Sequence, residues 1–194
     1  MRVSVTHIDQ YLWYKDSEDM TLDDFIERLK QTTEPTEPMK IGTAFHTILE
    51  NNEGVLDTVE QDGFTFQFDV EGDLTIPPIQ EIKAEKVYDT VTVVGKVDAI
   101  SGLIIDDHKT TGQFKPESYM DSYQWRIYLD IFGASKFRYN VFERRENPQG
   151  IQVIRSLNVL PLDRYPDLEE DVQIMIAEYA MFAEVHNVYE RAAQ

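Results

Sequence analysis

The sequence has no cysteine among its 194 residues. A chain without thiols forms no disulfide bonds and no iron–sulfur or thiolate zinc sites, and it offers no cysteine nucleophile. It also has no stretch approaching the roughly 20 consecutive apolar residues that a membrane-spanning helix needs. The first ten residues, MRVSVTHIDQ, lack the apolar run of a signal peptide. These absences favour a protein of the cytoplasm without a membrane partner.

Basic residues are scarce: 18 lysines and arginines stand against 36 acidic residues, which gives a net charge of −18. Such a charge argues against a protein that coats nucleic acid through bulk electrostatic attraction. The charge is uneven, however, since residues 133–165 contain six basic and three acidic side chains. Hydrophobic residues make up 42% of the sequence, a proportion typical of a folded globular protein.

Hydrophobic periodicity and helix-capping residues predict a mixed α/β fold with helices on both sides of one sheet. We expect a single domain over residues 1–194, with a core at about 41–160. Thr6 and Asp9 form an imperfect capping box for the first helix, and Thr21 caps the second. The predicted helices lie at residues 6–14, 21–30, 41–50, 116–133 and 167–192. The predicted strands lie at residues 64–70, 86–100, 103–110, 136–142 and 151–159, and a loop is predicted at 32–38.

The stretch VVGKVDAISGLIIDDHKT predicts a β-hairpin with a two-residue loop at 101–102. In that register Asp98, Asp107 and Lys109 share one face, and the two carboxylates are diagonal neighbours about 7–8 Å apart. A one-residue slip would exchange Asp106 for Asp107, and only the spacing to Lys109 favours Asp107. Carboxylates this close repel each other unless a cation such as Mg²⁺ lies between them. The alternative is an exposed hairpin with ordinary solvated charges.

Two helices carry further candidate side chains. Gly42, His46 and Glu50 are spaced to share one helical face, where the imidazole could bind a metal and the glycine would allow close backbone approach. Gln124 and Tyr128 form a second pair one helical turn apart. The alternatives are a partly buried structural histidine and a surface glutamine beside a core tyrosine.

In order along the chain, these motifs are Gly-x-x-x-His-x-x-x-Glu, Gly-x-x-Asp, Asp-x-Lys-Thr and Gln-x-x-x-Tyr. This ordered set resembles the RecB-type branch of the PD-(D/E)xK nuclease superfamily, which includes phage exonucleases of the lambda type. The resemblance covers about residues 41–128, and the N-terminal VSVTHIDQYLWY is similar to the way such domains begin. The matching residues are Gly42, His46, Glu50, Gly95, Asp98, Asp107, Lys109, Thr110, Gln124 and Tyr128. The resemblance implies a restriction-endonuclease-like core, with a mixed central β-sheet flanked by helices.

The resemblance also implies site roles. Asp98, Asp107 and Lys109 would be catalytic, with Lys109 positioning or activating the attacking water. Mg²⁺ or Mn²⁺ would be bound by His46, Asp98, Asp107 and the backbone carbonyl of His108. The residues expected to contact DNA or orient the site are Glu50, Glu85, Gln124, Tyr128, Arg144 and Arg145.

The basic segment offers a place for DNA. Lys136, Arg138 and Asn140 alternate with apolar residues and so share one face of the strand at 136–142. Arg144 and Arg145 lie in the predicted connecting loop ERRENPQG, where they could clamp the DNA backbone. The alternative for these arginines is ordinary surface solvation.

The leading hypothesis is a Mg²⁺-dependent deoxyribonuclease, an exonuclease of DNA recombination, repair or phage DNA processing, in the cytoplasm of a bacterium or phage-infected host. Its partners would be DNA, as duplex ends or single strands, and a single-strand annealing protein or further copies of the chain. Absent cysteines exclude the iron–sulfur subgroup of such nucleases. The alternatives are a catalytically inactive acidic interaction protein, such as a DNA mimic or inhibitor, and a structure-specific endonuclease on the same fold.

Overall fold

The computed structural model describes residues 1–30, 34–51, 56–70 and 81–189. The helices of these ranges are α1 (Val5–Asp16), α2 (Leu22–Leu29), α3 (Glu37–Glu50), α4 (Pro116–Asp121), α5 (Gln124–Phe132) and α6 (Leu168–Val185). The strands are β1 (Arg2–Ser4), β2 (Thr58–Gln61), β3 (Phe64–Phe68), β4 (Ile82–Tyr88), β5 (Val91–Val97), β6 (Ala99–Ser101), β7 (Ile104–Thr111), β8 (Lys136–Glu146) and β9 (Gln152–Asp163). None of the helices in the described ranges has the length and apolarity that crossing a bilayer requires.

The strands form two sheets that meet at one residue. The smaller sheet has the order β1-β5-β4, and the larger has the order β2-β3-β9-β8-β7-β6. Parallel pairing joins β1 to β5, β3 to β9 and β7 to β8, whereas the other pairs are antiparallel. The chain passes from β5 of one sheet into β6 of the other through Asp98. This curled mixed sheet flanked by helices is consistent with a restriction-endonuclease-like core and confirms the predicted fold class.

The two faces of the larger sheet bury different helices. Along β8, Phe137 and Val141 point to one face, where they belong to the apolar cluster that includes α1, α5 and α6. Phe142 points to the other face and packs with Phe45 of α3, at a ring-centroid distance of 4.9 Å. Burial of each such side chain stabilises the fold by about 1.5–3 kcal/mol. The sheet therefore holds α3 and α5 on opposite sides of β7 and β8.

The helix boundaries differ from several predictions. Ser4, not Thr6, caps α1, because its Oγ accepts a hydrogen bond from the backbone N–H of His7 at 3.2 Å. The capping role of Thr21 is confirmed, since its Oγ1 accepts from the Asp24 N–H. Helix α3 begins at Glu37, four residues before the predicted start, with a proline in its first turn, where the missing N–H has no cost.

Three predicted segments are divided or shortened. The predicted strand at 86–100, which the sequence allows to bend, is divided: a turn at Asp89, with φ +51°, separates β4 from β5, and Asp98 lies between β5 and β6. The predicted helix at 116–133 is two helices, because Ser122 is extended, and Gly133 ends the second with φ +62°. Helix α6 ends at Val185 rather than near 192, and residues 190–192 lie outside the described part, as do 32 and 33 of the predicted loop. Strands β1 and β2 were not predicted, since both are too short to show a period.

Candidate active site

The β6–β7 hairpin brings two aspartates together. Its pairs are Ala99 with Asp106 and Ile100 with Ile105, so the turn lies at Gly102 and Leu103 rather than at 101–102. Gly102 has φ +60°, a conformation that glycine adopts without strain, and this centres the turn one residue later than predicted. The pairing moves by two residues, an even number, so the predicted faces are unchanged. The same register continued by one residue places Asp98 directly opposite Asp107 instead of diagonal to it.

The Asp106 side chain points to the face of β7 opposite Asp107, where both of its carboxylate oxygens accept hydrogen bonds. Its Oδ1 accepts from Arg138 Nε at 2.8 Å and from Asn140 Nδ2 at 2.9 Å, and its Oδ2 accepts from Arg138 Nη2 at 2.6 Å. Lys136, which lies on β8 with Arg138 and Asn140, forms an ion pair with Asp163, in which Nζ is 3.3 Å from Oδ1. Arg138 and Asn140 are therefore engaged with a buried carboxylate, which needs such donors. DNA contact by this face of β8 stays a prediction.

Asp107 lies on the site face with Lys109. The Lys109 Nζ is 2.7 Å from Asp107 Oδ2, and the Asp107 side chain is only 4% exposed. That oxygen accepts no hydrogen bond of good geometry despite the ionic contact. Burial raises the pKa of Asp107, the Lys109 ammonium opposes the shift, and the Asp98 carboxylate adds to it. Asp107 is thus a buried carboxylate with one oxygen that lacks an aligned hydrogen-bond donor.

Lys109 is held as an ammonium. Burial alone would lower its pKa, but the carboxylates of Asp107 and Asp98 raise the pKa above the ordinary value. Its side chain keeps one third of its surface exposed, so Nζ can reach a water or a ligand. In this arrangement Lys109 donates hydrogen bonds and stabilises negative charge, and it is not a free base.

Asp98 and His46 enclose the backbone of His108. Asp98 Oδ2 accepts the N–H of His108 at 2.6 Å, which fixes the carboxylate. His46 Nε2 lies 2.7 Å from the His108 carbonyl, and since a carbonyl only accepts, Nε2 carries the proton. His46 Nδ1 then faces Asp98 Oδ1 at 3.9 Å. All four predicted metal-binding groups therefore converge at the end of the hairpin.

The candidate metal ligands are of the chemical type that a hard divalent cation prefers. Asp98, Asp107 and the His108 carbonyl offer oxygen atoms, which Mg²⁺ and Mn²⁺ prefer, and the buried Oδ2 of Asp107 lacks a well-aligned donor. Within the described ranges no three histidine or acidic side chains form a ready-made metal cluster. His46 in particular is engaged with the carbonyl. The ligand roles of these residues stay predictions.

Glu50 is exposed at the end of α3, and its contact with DNA stays a prediction. Burial, followed by the neighbouring carboxyl of Glu81, raises the pKa of Glu50. Glu81 forms an ion pair with Lys96, and its N–H donates to the Asp98 carbonyl at 3.0 Å. Sequence reasoning missed Glu81 and Lys96, because their approach depends on the register of β4 and β5. These side chains make a second acidic group beside His46.

The two motif glycines, Gly42 of α3 and Gly95 of β5, differ in how closely other atoms approach them. A Cβ on Gly42 would meet no atom within 4 Å, so the expectation of close approach there is wrong. A Cβ on Gly95 would lie 3.0 Å from Tyr128 Cε1 and 3.1 Å from Cδ1, so Tyr128 needs a glycine beneath it. Burial raises the pKa of Tyr128 to about 12, with a further contribution from the Asp107 carboxylate. Tyr128 is therefore a core tyrosine whose hydroxyl lies in the electrostatic field of the site.

Gln124 and two further tyrosines line the same region. Gln124 Oε1 accepts from Tyr139 Oη at 3.4 Å. Tyr139 is aligned with Asp107 in the β7–β8 register and shares its face, and its ring lies 5.1 Å from that of Tyr119. Tyr119 and Tyr139 were not predicted as site residues, although the alternation of KFRYNVF places Tyr139 on the inward face.

The other residues that were predicted to contact DNA make their contacts away from Asp98 and Asp107. Glu85 forms an exposed ion pair with Arg2 at 2.6 Å. Arg144 and Arg145 belong to strand β8 rather than to the connecting loop, which is limited to residues 147–151. Arg144 Nη1 donates to Gln152 Oε1 at 2.6 Å, just after a bulge in the β8–β9 pairing. The predicted position of both arginines in the connecting loop is therefore wrong, because the strand pairing extends to residue 146. Their contact with DNA stays a prediction.

Three solved structures are similar to this fold. The crystal structure of SSO0001 superposes with a TM-score of 0.51 at 15% identity, over 93% of this chain and 76% of that one. An alkaline exonuclease (LHK-Exo) from Laribacter hongkongensis and LHK-Exo in complex with dAMP each give a TM-score of 0.49 at 13% identity, over 95% of this chain and 89% and 88% of theirs. No protein-family model and no curated protein matches the chain significantly. At these identities the similarity to SSO0001 concerns the fold alone.

Proposed function

We propose that this chain is a divalent-metal-dependent deoxyribonuclease whose active site contains Asp98, Asp107 and Lys109. One observation carries the proposal: the buried Asp107 carboxylate lies 2.7 Å from the Lys109 ammonium, and the Asp98 carboxylate, between β5 and β6, accepts the N–H of His108, the residue next to Asp107. The neighbouring Asp106 is fully neutralised by Arg138 and Asn140, whereas Asp107 keeps an oxygen without an aligned donor. Two carboxylates beside a single ammonium leave a net negative charge, which a divalent cation would balance.

The chemistry of phosphodiester hydrolysis suits these groups. Asp98, Asp107 and the His108 carbonyl would hold Mg²⁺ or Mn²⁺, with His46 beside them. The bound metal would supply charge neutralisation at the phosphate and acidify a water molecule. Lys109 orients that water and stabilises the charge that develops on the phosphate. The His108 N–H fixes Asp98, and Tyr128 closes the site from the α5 side.

The exonuclease mode and the substrate follow from the resemblance to lambda-type exonucleases. We expect digestion from duplex ends or of single strands, in recombination, repair or phage DNA processing. A single-strand annealing protein or further copies of the chain are the proposed partners. DNA would be held mainly by the metal site, since Lys136, Arg138 and Arg144 of β8 contact other side chains of the protein.

The net charge of −18 favours a second candidate, a catalytically inactive acidic protein that imitates DNA. Such a protein would bind a DNA-binding partner and would need no metal. The buried pair of Asp107 and Lys109 would then have only a structural role.

A digestion assay separates the two candidates. End-labelled linear duplex, closed circular duplex, single-stranded DNA and RNA are incubated with Mg²⁺, with Mn²⁺ or with a chelator. We expect metal-dependent degradation of linear DNA and survival of closed circles. Asp107→Asn and Lys109→Met should each lower the rate by about 100-fold or more. The control Asp163→Asn removes an exposed carboxylate and should have no effect.

Each outcome of this assay has a definite meaning. Intact DNA under every condition, or an unchanged rate in Asp107→Asn, contradicts the nuclease. Cleavage of closed circles retains the nuclease and rejects the exonuclease mode. Digestion of RNA alone rejects DNA as the substrate.

A further inference from the structure

Helix α5 begins without a capping side chain at its own N-cap position. The first N–H groups of any helix lack partners within the helix and need acceptors from elsewhere. Asp9, from the middle of α1, supplies one: its Oδ1 accepts from the Tyr123 N–H at 2.8 Å and from the Gln124 N–H at 3.2 Å. The same oxygen accepts from Ser122 Oγ at 2.6 Å. A residue 115 positions away therefore caps this helix.

The capped turn leads directly to the candidate active site. Ser122 Oγ also accepts from the Gln124 N–H at 3.0 Å and lies 3.3 Å from Tyr139 Oη. Tyr139 is aligned with Asp107 in the β7–β8 register. Polar contacts thus run without interruption from Asp9 through Ser122 to the strand beside the carboxylates.

The same turn sets the position of two site side chains. Gln124 is the first residue of α5, and Tyr128 follows one turn later, against Gly95. A rotation or fraying of the first turn would displace both, because side chains four residues apart lie on one helical face. The negative charge of Asp9 also suits the positive end of the helix dipole.

We propose that Asp9 is a positioning residue for the candidate active site. It acts from α1 by fixing the first turn of α5, and thereby the placement of Gln124 and Tyr128 beside Asp107 and Lys109. Its effect on catalysis rests on the proposed nuclease function, whereas its effect on α5 does not.

Hydrogen exchange tests the positioning directly, without any activity. In Asp9→Ala the Tyr123 amide loses its acceptor, and its exchange should accelerate by about tenfold. The Gln124 amide keeps Ser122 Oγ as an acceptor, so its exchange should accelerate less. Because Asp9 is remote in sequence, the intrinsic exchange rates of these amides do not change. The matched control is Asp16→Ala, which removes the same charge from an exposed position at the end of α1.

Tryptophan fluorescence gives a second readout of the same turn. Trp125, the second residue of α5, is 6% exposed and donates from Nε1 to the Met120 carbonyl at 3.0 Å. The other tryptophan, Trp13, is 52% exposed and can be replaced by phenylalanine. In the Trp13→Phe background, Asp9→Ala should shift Trp125 emission to the red, whereas Asp9→Asn, which keeps the acceptor oxygen, should restore most of the original spectrum.

Activity completes the test. Asp9→Ala should lower kcat by about tenfold with little change in KM, and Asp9→Asn should recover most of that loss. If Asp9→Ala does not fold, Asp9→Asn and Ser122→Ala are compared in its place, and both should give intermediate exchange rates. Exchange and emission equal to those of Asp16→Ala overturn the inference. If no form of the protein cuts DNA, the nuclease proposal fails, and exchange and emission still decide whether Asp9 fixes α5.

Discussion

Asp106 and Asp107 are neighbours in sequence, yet strand alternation gives them opposite environments. Asp106 is neutralised by a bidentate arginine on one face, whereas Asp107 meets a lysine and a second carboxylate on the other. The spacing to Lys109 was enough to choose Asp107 from the sequence, because residues two apart on a strand share a face. The partners of Asp106 could not be inferred in this way, since they lie on a strand 30 residues away.

At the residue scale, alanine at the two motif glycines, Gly95 and Gly42, should change the free energy of unfolding in opposite directions. Gly95→Ala places a Cβ 3.0 Å from a buried tyrosine ring, so we expect a loss of about 1–3 kcal/mol in the free energy of unfolding. Gly42→Ala meets open space inside a helix and should raise the free energy of unfolding by about 0.5–1 kcal/mol. Urea denaturation measures both. Equal effects of the two substitutions would contradict the packing of Tyr128 on Gly95.

At the scale of elements, β7 and β8 are held in register by a charged group as well as by backbone hydrogen bonds. Arg138 of β8 reaches Asp106 of β7 with two nitrogen atoms, and the Asp106 carboxylate is 1% exposed. Since β7 carries Asp107 and Lys109, this contact on the far face supports the geometry of the site.

Removing the arginine should therefore destabilise the protein strongly. Arg138→Ala leaves the Asp106 charge buried with only Asn140 as a partner, and we expect a loss of about 3–5 kcal/mol in the free energy of unfolding. Adding Asp106→Asn should recover part of that loss. Lys136→Ala breaks an exposed pair on the same strand and should cost less than about 1 kcal/mol. Similar losses in Arg138→Ala and Lys136→Ala, measured by denaturant unfolding, would show that Asp106 does not depend on Arg138.

The long periodic elements could be predicted from the sequence, and so could the side chains that a motif places on one face. The alternation in β7 and β8 and the helical spacing from Ile41 onward are local patterns that record which residues share a face, even though both faces of β7 and β8 are buried. Contacts between distant segments leave no local pattern in the sequence. Asp9 was expected to join a capping box with Thr6, yet it caps a helix more than 110 residues later. Glu81 likewise reaches Asp98 only through the pairing of β4 with β5.

At the scale of the whole molecule, most basic side chains of the segment 133–165 contact other side chains of the protein. Lys136, Arg138 and Arg164 are paired with carboxylates, and Arg144 is bonded to a buried glutamine. Much of this charge therefore stabilises the fold and is not available to a polyanion. If the chain is the proposed nuclease, DNA would then be recognised mainly at the carboxylate site, with the exposed Arg145 and Arg155 as the remaining basic groups of this segment.

Buried tyrosines make the stability of the whole fold sensitive to alkaline pH. Burial raises the pKa of Tyr128 from about 10 to about 12, so the fold favours its neutral form. This contribution is complete below pH 10, the unfolded pKa, and is lost as the pH rises toward 12, because the unfolded chain then releases the proton more readily. We expect the free energy of unfolding from urea titrations to fall between about pH 10 and 12. The fall should be shallower in Tyr128→Phe, and equal slopes for the two proteins would contradict the shift.

Because Asp9 caps a helix far along the sequence, its contact has a consequence for a chain that is still being synthesised. The hairpin with Asp98, Asp107 and Lys109 leaves the ribosome before the turn that Asp9 must cap, and α1 has to wait for that turn. Closing so large a loop is entropically unfavourable until other contacts bring its ends together. A nascent chain would therefore possess the reactive groups without the helix that orders them. Completion of the site is delayed until α5 has emerged and met the first helix.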